Sequence, residues 1–200
     1  MKKLSYLFSL LLAANFIFIS CNSDDELVAD GVVINGIRWA TRNVGAPGTF
    51  AATPECLGML YQWNRRTAWA ATGEVTDWDS SVPTGTGWAS QNDPCPSGWR
   101  VPTSVELNSL LLAANSRWTT QSGVNGRLFG NYPNEIFLPA TGLRNNALAV
   151  SGGGAWGGYW SSTQSIIGES ANSLSFTNNN AVINVGQSRT TAMPIRCVAR

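Results

Sequence analysis

The chain has 200 residues, enough for one domain and a leader, and its 44% hydrophobic content suffices for a packed core. Only 12% of residues are charged and histidine is absent, which removes the commonest general base, the usual partner of a Ser or Cys nucleophile and the commonest transition-metal ligand. Both lysines precede residue 4, so residues 21–200 hold 11 arginines against 12 acids, a net charge of −1 without a basic stripe, which argues against nucleic acid as a partner.

In chain order, "MKKLSYLFSLLLAANFIFISC" has a basic start, an apolar run from Leu4 to Ile19 and a small residue before Cys21. It reads as a secretory signal over residues 1–20; Asn15 interrupts the run and its length is marginal for a membrane span. "FISC" resembles a bacterial lipobox, with Phe18 where Leu is more usual, and makes Cys21 the expected acylated residue. "NSDDE" after it resembles the surface-export signal of lipoproteins in the Bacteroidetes, so residues 21–30 read as an acidic tether and the expected location is the outer membrane, facing outward.

The domain opens with "GVVINGIRWAT", where Asn35-Gly36 between two β-branched runs signals a two-residue hairpin. "GMLYQWN" reads as a strand or a strand-to-helix entry, and Arg65 to Gln91 as a long loop with one short helix. Thr103 and Glu106 form a capping-box pattern, and Leu107, Leu110, Leu111 and Ala114 fall on one stripe, giving a helix over about 103–115 with Asn115 as its C-cap. That stripe needs a sheet to pack against. "GVNGRLFG", with a second Asn-Gly turn, "EIFLPATGLR", "GYWSST", "SLSFT", "AVINVG" and "PIRCVAR" supply short strands. The fold class is α+β.

Three cysteines follow Cys21, namely Cys56, Cys95 and Cys197, which in an exported chain allow one bridge and one leftover. There is no C-x-x-C and no histidine to activate a thiolate, so a structural role is expected for Cys95. A bridge from Cys95 to Cys197 would tie the start of the helix to the last strand. Gly152, Gly154 and Gly157 spell G-x-G-x-x-G, but an aromatic strand follows instead of a helix, so no dinucleotide or other cofactor is expected. Asp77, Asp79 and Asp93, with Asn92, could offer oxygen ligands to calcium, yet their spacing fits no EF-hand loop, and no metal is expected. Trp39, Trp63, Trp99 and Trp160 read as core, whereas Trp78, Trp88 and Trp156 lie in loop-like stretches and are surface candidates.

Several segments in order resemble one family: "INGIRWATRNVG", "LYQWN", "DPCPSGWRVPTSVEL", "FLPATGLR", "GYWSST" and "IRCVAR" are similar to the Fibrobacter succinogenes major paralogous (FISUMP) domain over residues 31–200. The resemblance implies a C-type-lectin-like fold and maps the cysteines of "CPSGW" and "RCV" onto a Cys95–Cys197 disulfide, while Cys56 has no equally clear match and is left as a free-thiol candidate. Arg100 to Glu106 resembles the "R-x-P-T-x-x-E" of formylglycine-generating enzymes, but their late cysteine pair has no counterpart beside Cys197, so catalysis is not carried over. The Glu-Pro-Asn and Gln-Pro-Asp triplets of calcium-dependent lectins are missing; "YPNE" at 132–135 is a near miss. Lectin-like domains that diversify their ligands place polar residues near the C-terminus, where Asn178, Asn179, Asn180, Asn184, Gln187 and Arg189 fall here. The expectation is a lipid-anchored, non-enzymatic surface module that recognises a glycan or a cell-surface protein through these residues and Trp156. The alternatives are a structural or tip subunit of a fimbria-like assembly, and an enzyme distantly related to the formylglycine-generating group.

Overall fold

Asn35 and Gly36 sit at φ 51° and 80°, the pair of positive values that a tight hairpin needs, and they join β1 (Val32–Ile34) to β2 (Ile37–Trp39) in antiparallel register. The computed structural model describes residues 31–112 and 115–200, so the expected signal peptide, the tether and Cys21 lie outside the described residues. Next come β3 (Leu60–Gln62), β4 (Ala68–Trp69), a single 3-10 turn at Ser90–Asn92, and β5 (Trp99–Arg100). Helix α1 (Ser104–Leu112) is followed by a meander of β6 (Arg117–Gln121), β7 (Val124–Asn131) and β8 (Asn134–Pro139). The chain closes with β9 (Gly157–Gln164), β10 (Ser170–Phe176), β11 (Ala181–Ser188), β12 (Ala192–Met193) and β13 (Val198–Ala199). The class is mixed α+β, mostly strands with one helix among the described residues.

The strands form four small sheets, ordered β1-β2-β13-β5, β6-β7-β8, β11-β10-β9 and β12-β3-β4. The first joins the two ends of the domain, since Trp39 pairs with both Val32 and Val198.

The helix begins where its capping box is written. Glu106 N donates to Thr103 Oγ1 (3.2 Å), and Thr103 N donates back to Glu106 Oε2 (2.7 Å). Arg100 adds a two-pronged pair to the same carboxylate at 2.8 and 2.6 Å, and Ser104 N donates to Thr163 Oγ1 of β9 (3.0 Å). Leu107 and Leu110 are fully buried as α1 packs across β9, β10 and β11. Ala114 lies outside the described residues, and Asn115, expected as the C-cap, sits in a turn and donates from Nδ2 to Asn131 Oδ1 at 2.6 Å.

One turn is displaced from its expected place. Asn125-Gly126 lies inside β7, and the β6–β7 turn is made by Ser122-Gly123 at φ 47° and 80°. Gly126 serves close approach instead: a Cβ there would stand 2.4 Å from the Leu138 carbonyl oxygen and 2.5 Å from the Phe137 ring.

Two hydrophobic cores flank a common wall. The first gathers Trp39, Leu107, Leu110, Phe129, Leu138, Tyr159, Phe176 and Val198; the second gathers Ala40, Tyr61, Trp63, Trp160, Met193, Ile195 and Cys197. Adjacent residues of three segments (39–40, 159–160 and 197–198) face opposite cores, as the strand period of two demands. The Cys95–Cys197 disulfide, with a Cα–Cα distance of 6.1 Å, closes a loop of 102 residues in the second core. Closing about 100 residues is worth on the order of 4–5 kcal/mol in the chain-entropy model.

Between the cores lies Arg196, fully buried. Its five N–H groups are all used: Nε and Nη2 donate to Asn43 Oδ1 (3.0 and 2.8 Å), Nη1 to the carbonyls of Ala40 and Thr41 (3.3 and 2.7 Å), and Nη2 to that of Phe137 (3.0 Å). Asn43 Nδ2 donates to Leu57 O (2.9 Å) and to Tyr159 Oη (3.1 Å), and the Tyr159 hydroxyl donates to Pro139 O (3.0 Å). Burial pushes Arg196 down to about 10 and the Tyr159 phenol up, so at neutral pH the site holds a full positive charge solvated by carbonyl dipoles.

Replacing Arg196 by Met leaves three carbonyls and an amide oxygen buried without donors, a loss of about 3–5 kcal/mol in urea unfolding. Arg196→Lys is expected to lose nearly as much, because a single ammonium cannot reach acceptors on three segments; wild-type stability in either variant would refute the role given to this network.

Candidate functional site

The residues expected to bind ligand do not form one surface. Trp156 follows a tight glycine turn, and its indole lies over Gly158, where an added Cβ would stand 2.1 Å from the ring; it packs half-buried on the second core. Asn178, Asn179 and Asn180 occupy the exposed β10–β11 turn, which Thr177 closes by donating from N to Asn180 O and from Oγ1 to Asn180 Oδ1, both at 2.9 Å. Asn184 and Gln187 lie farther along β11, linked by a 3.4 Å contact, and Gln187 Nε2 donates to Thr191 Oγ1 (2.9 Å). Seven residue steps along the strand separate Asn180 from Gln187, roughly 20 Å at ~3.3 Å per residue.

Arg189 is a correction. It is 7% exposed, its guanidinium lies 4.3 Å from the Trp63 ring centroid, and it donates to the carbonyls of Ser170 (3.1 Å), Gly85 (2.9 Å) and Pro83 (3.4 Å). It fastens a loop from below and belongs to no exposed binding face. Trp78 and Trp88 likewise rest on other rings, 5.0 Å from Trp69 and 6.1 Å from Trp63, while Trp99, expected in the core, is partly exposed edge-on to Phe50.

The carboxylates and thiols are committed too. Asp93 Oδ1 accepts from Cys95 N (2.9 Å), and its Oδ2 lies 3.5 Å from Arg200. No group of three metal-ligating side chains occurs among the described residues. Cys56, left as a thiol candidate, is disulfide-bonded and not free.

What the chain does build is a polar basin of about 610 Å³, walled by residues 64–67, Asp79, residues 81–84 and Asn92. It sits directly after β3, where Asn64 takes φ 54° and turns the chain back. From that position Asn64 Nδ2 donates to Thr84 O (2.8 Å), and its Oδ1 accepts from Ala89 N (2.7 Å) and Asn92 Nδ2 (3.2 Å). Arg65 holds the opposite wall: Nη1 meets Asp79 Oδ2 (2.6 Å) and Nη2 donates to the Ser81 carbonyl (3.0 Å) and hydroxyl (2.6 Å). The Ser81 hydroxyl, then its amide, and then Arg65 hold the exposed Asp79 carboxyl below the ordinary carboxylate range. Arg66 reaches Asp93 O from Nη1 (2.7 Å), and Gln62 Nε2 donates to Asp79 O (2.7 Å) from beneath.

A second, more apolar cleft of about 480 Å³ lies where the 71–73 loop, the β6–β7 turn and the 149–154 loop converge. Its lining is chiefly alanine, valine and glycine, with few polar groups to orient a ligand.

Sequence reasoning marked Asp79 and Asn92 as oxygen ligands and passed over Asn64, Arg65, Arg66 and Thr84. The available signal was "WNRRT", where polar residues directly follow a buried strand. No family model, curated protein or solved structure matches the chain.

Asn64→Ala is expected to loosen residues 79–92, read as faster amide exchange at Ala89 and a global loss of about 1–3 kcal/mol. The Asp79 contribution to the basin is complete above the carboxyl's unfolded value near 3.9 and fades only as pH falls through its lower folded value. Side-chain NMR titration of Asp79 checks this, and a midpoint at or above about 4 contradicts it.

Proposed function

We propose that the chain is a surface-displayed, non-enzymatic recognition module that binds a glycan or a cell-surface protein. The observation that carries this reading is the basin: two loop segments and the end of a 3-10 turn, fixed by side-chain-to-backbone bonds, enclose a polar volume in the range of small-ligand sites. A site whose walls are already bonded in place spends little ordering entropy on binding. The C-type-lectin-like relationship and FISUMP membership are part of the same proposal. They draw support from the Cys95–Cys197 bridge and from one helix packed on a strand-rich second half.

A glycan array probed with the full-length protein in detergent, with calcium and again with chelator, tests the reading. Binding is expected to survive chelation, because the Asp79 carboxylate is engaged by Arg65 and Ser81. Thr84→Val and Asn92→Ala are expected to weaken it severalfold without loss of folding, and a blank array would remove glycans as ligands.

A second reading, the structural subunit, is favoured by β11. Among the described residues it pairs only with β10, at the edge of its sheet; Val182 and Val185 are each 47% exposed, and residues 177–188 hold no charge and no proline to guard the edge. Strand addition there would be abolished by Val182→Lys and Val185→Lys, read as loss of higher assemblies in size-exclusion chromatography.

A further inference from the structure

We infer that the ligand of the basin is an acidic saccharide whose carboxylate is held by Arg66, an inference that rests on the glycan-recognition reading above.

Most arginines of the domain are spent. Arg196, Arg144, Arg127, Arg189 and Arg42 are buried on backbone and side-chain oxygens, and Arg65, Arg100, Arg117 and Arg200 face carboxylates. Two guanidiniums remain exposed with no carboxylate at ion-pair distance among the described residues, Arg38 and Arg66. Arg38 lies 6.0 Å from the Trp99 ring centroid and borders neither cleft. Arg66 lines the basin and is oriented by its single bond to Asp93 O.

The charges in the basin do not cancel. Arg65 and Asp79 neutralise each other at 2.6 Å, which leaves Arg66 as the uncompensated charge of the cavity. A guanidinium with free forks selects a planar anion, carboxylate foremost, and its bond to a charged acceptor is about twice as strong as a neutral one. The rest of the lining decides what carries that anion. Thr67 and Thr84 offer exposed hydroxyls, and Asn92 keeps its Oδ1 as an acceptor after Nδ2 is bonded to Asn64. Short hydroxyls and an amide around a cation match a ring that bears a carboxylate among hydroxyls. An acidic peptide would instead need a strand edge or an apolar groove for its backbone and side chains, and the basin has neither.

The test is calorimetric titration of the full-length protein with the galacturonate dimer, the same dimer reduced to galactose, and a tetraglutamate peptide. The acidic dimer is expected to bind at least about tenfold more tightly than the neutral one, with the difference shrinking at high salt. Arg66→Ala should erase that difference, Arg66→Lys should keep part of it, and Arg38→Ala should leave it intact. Near-UV circular dichroism of each variant verifies the fold. Equal binding of the two dimers overturns the carboxylate and leaves glycan recognition standing. Peptide binding as tight as the acidic dimer overturns the saccharide. Failure of both dimers while other glycans score on the array sinks the acidic-sugar inference alone; failure of both with a blank array sinks glycan recognition with it.

Discussion

A buried guanidinium with no carboxylate beside it sets the terms for the rest of this fold. Arg196 stands between two cores, and its five donors are met by Asn43 and by carbonyls of residues 40, 41 and 137. A buried charge is tolerated only when every donor is met, so these segments must arrive together or the centre fails. The same geometry draws in Tyr159 of β9 through Asn43. The Cys95–Cys197 bridge lies beside this centre, with Cys197 next to Arg196 in sequence. Cross-link and polar network therefore act on one stretch of backbone, which fixes where the last strand must run before it closes the sheet that joins both ends of the domain.

Arginine does elsewhere what longer strands do in other proteins. The sheets hold three or four strands each, and several strands span only two or three residues, so much of the backbone has no ladder partner. Arg144, fully buried, donates to the carbonyls of Ala70, Gly73, Ala147 and Leu148; Arg189 reaches Pro83 and Gly85; Arg127 reaches Ser116 and Thr177. Each joins loops far apart in sequence. A planar fork of five donors can bridge several carbonyls at once, and an ammonium cannot. Within this domain that is a physical reason for lysine to be absent while arginine is kept.

These roles were hard to see in the sequence because the signals that read well are local. Thr103 and Glu106 lie three residues apart and cap the helix as expected, and Asn35-Gly36 turns where a tight hairpin demands positive φ. Glycine was misread once. Asn-Gly at 125–126 resembles a turn, yet only the facing Phe137 ring reveals that Gly126 is there for close packing. Arg189 misled for the same reason: amid Ser, Thr, Asn and Gln it reads as surface, but its partners are Trp63 and the 83–85 loop, more than 100 residues away. The basin was illegible as a whole. Its floor belongs to Gln62 and Asn64, and its far wall is tied through a guanidinium contributed after β11.

Pinning loops through their carbonyls has a consequence for recognition. Sites on loops are ordinarily less precise than sites on strands or helices, because loop backbone moves. Here the loops at 70–73, 81–85 and 147–148 are fastened at backbone oxygens, a group that every residue supplies whatever its side chain. A side chain at such a position is relieved of holding the loop where its own polar atoms are not engaged. Thr84 can face a ligand with its hydroxyl while its carbonyl binds Asn64. Substitution at such positions changes what the basin recognises without removing the bonds that shape it, whereas substitution of Asn64, Arg65, Arg144 or Arg189 removes the shape itself. A fold organised in this way separates the residues that specify its loops from the residues that meet a partner.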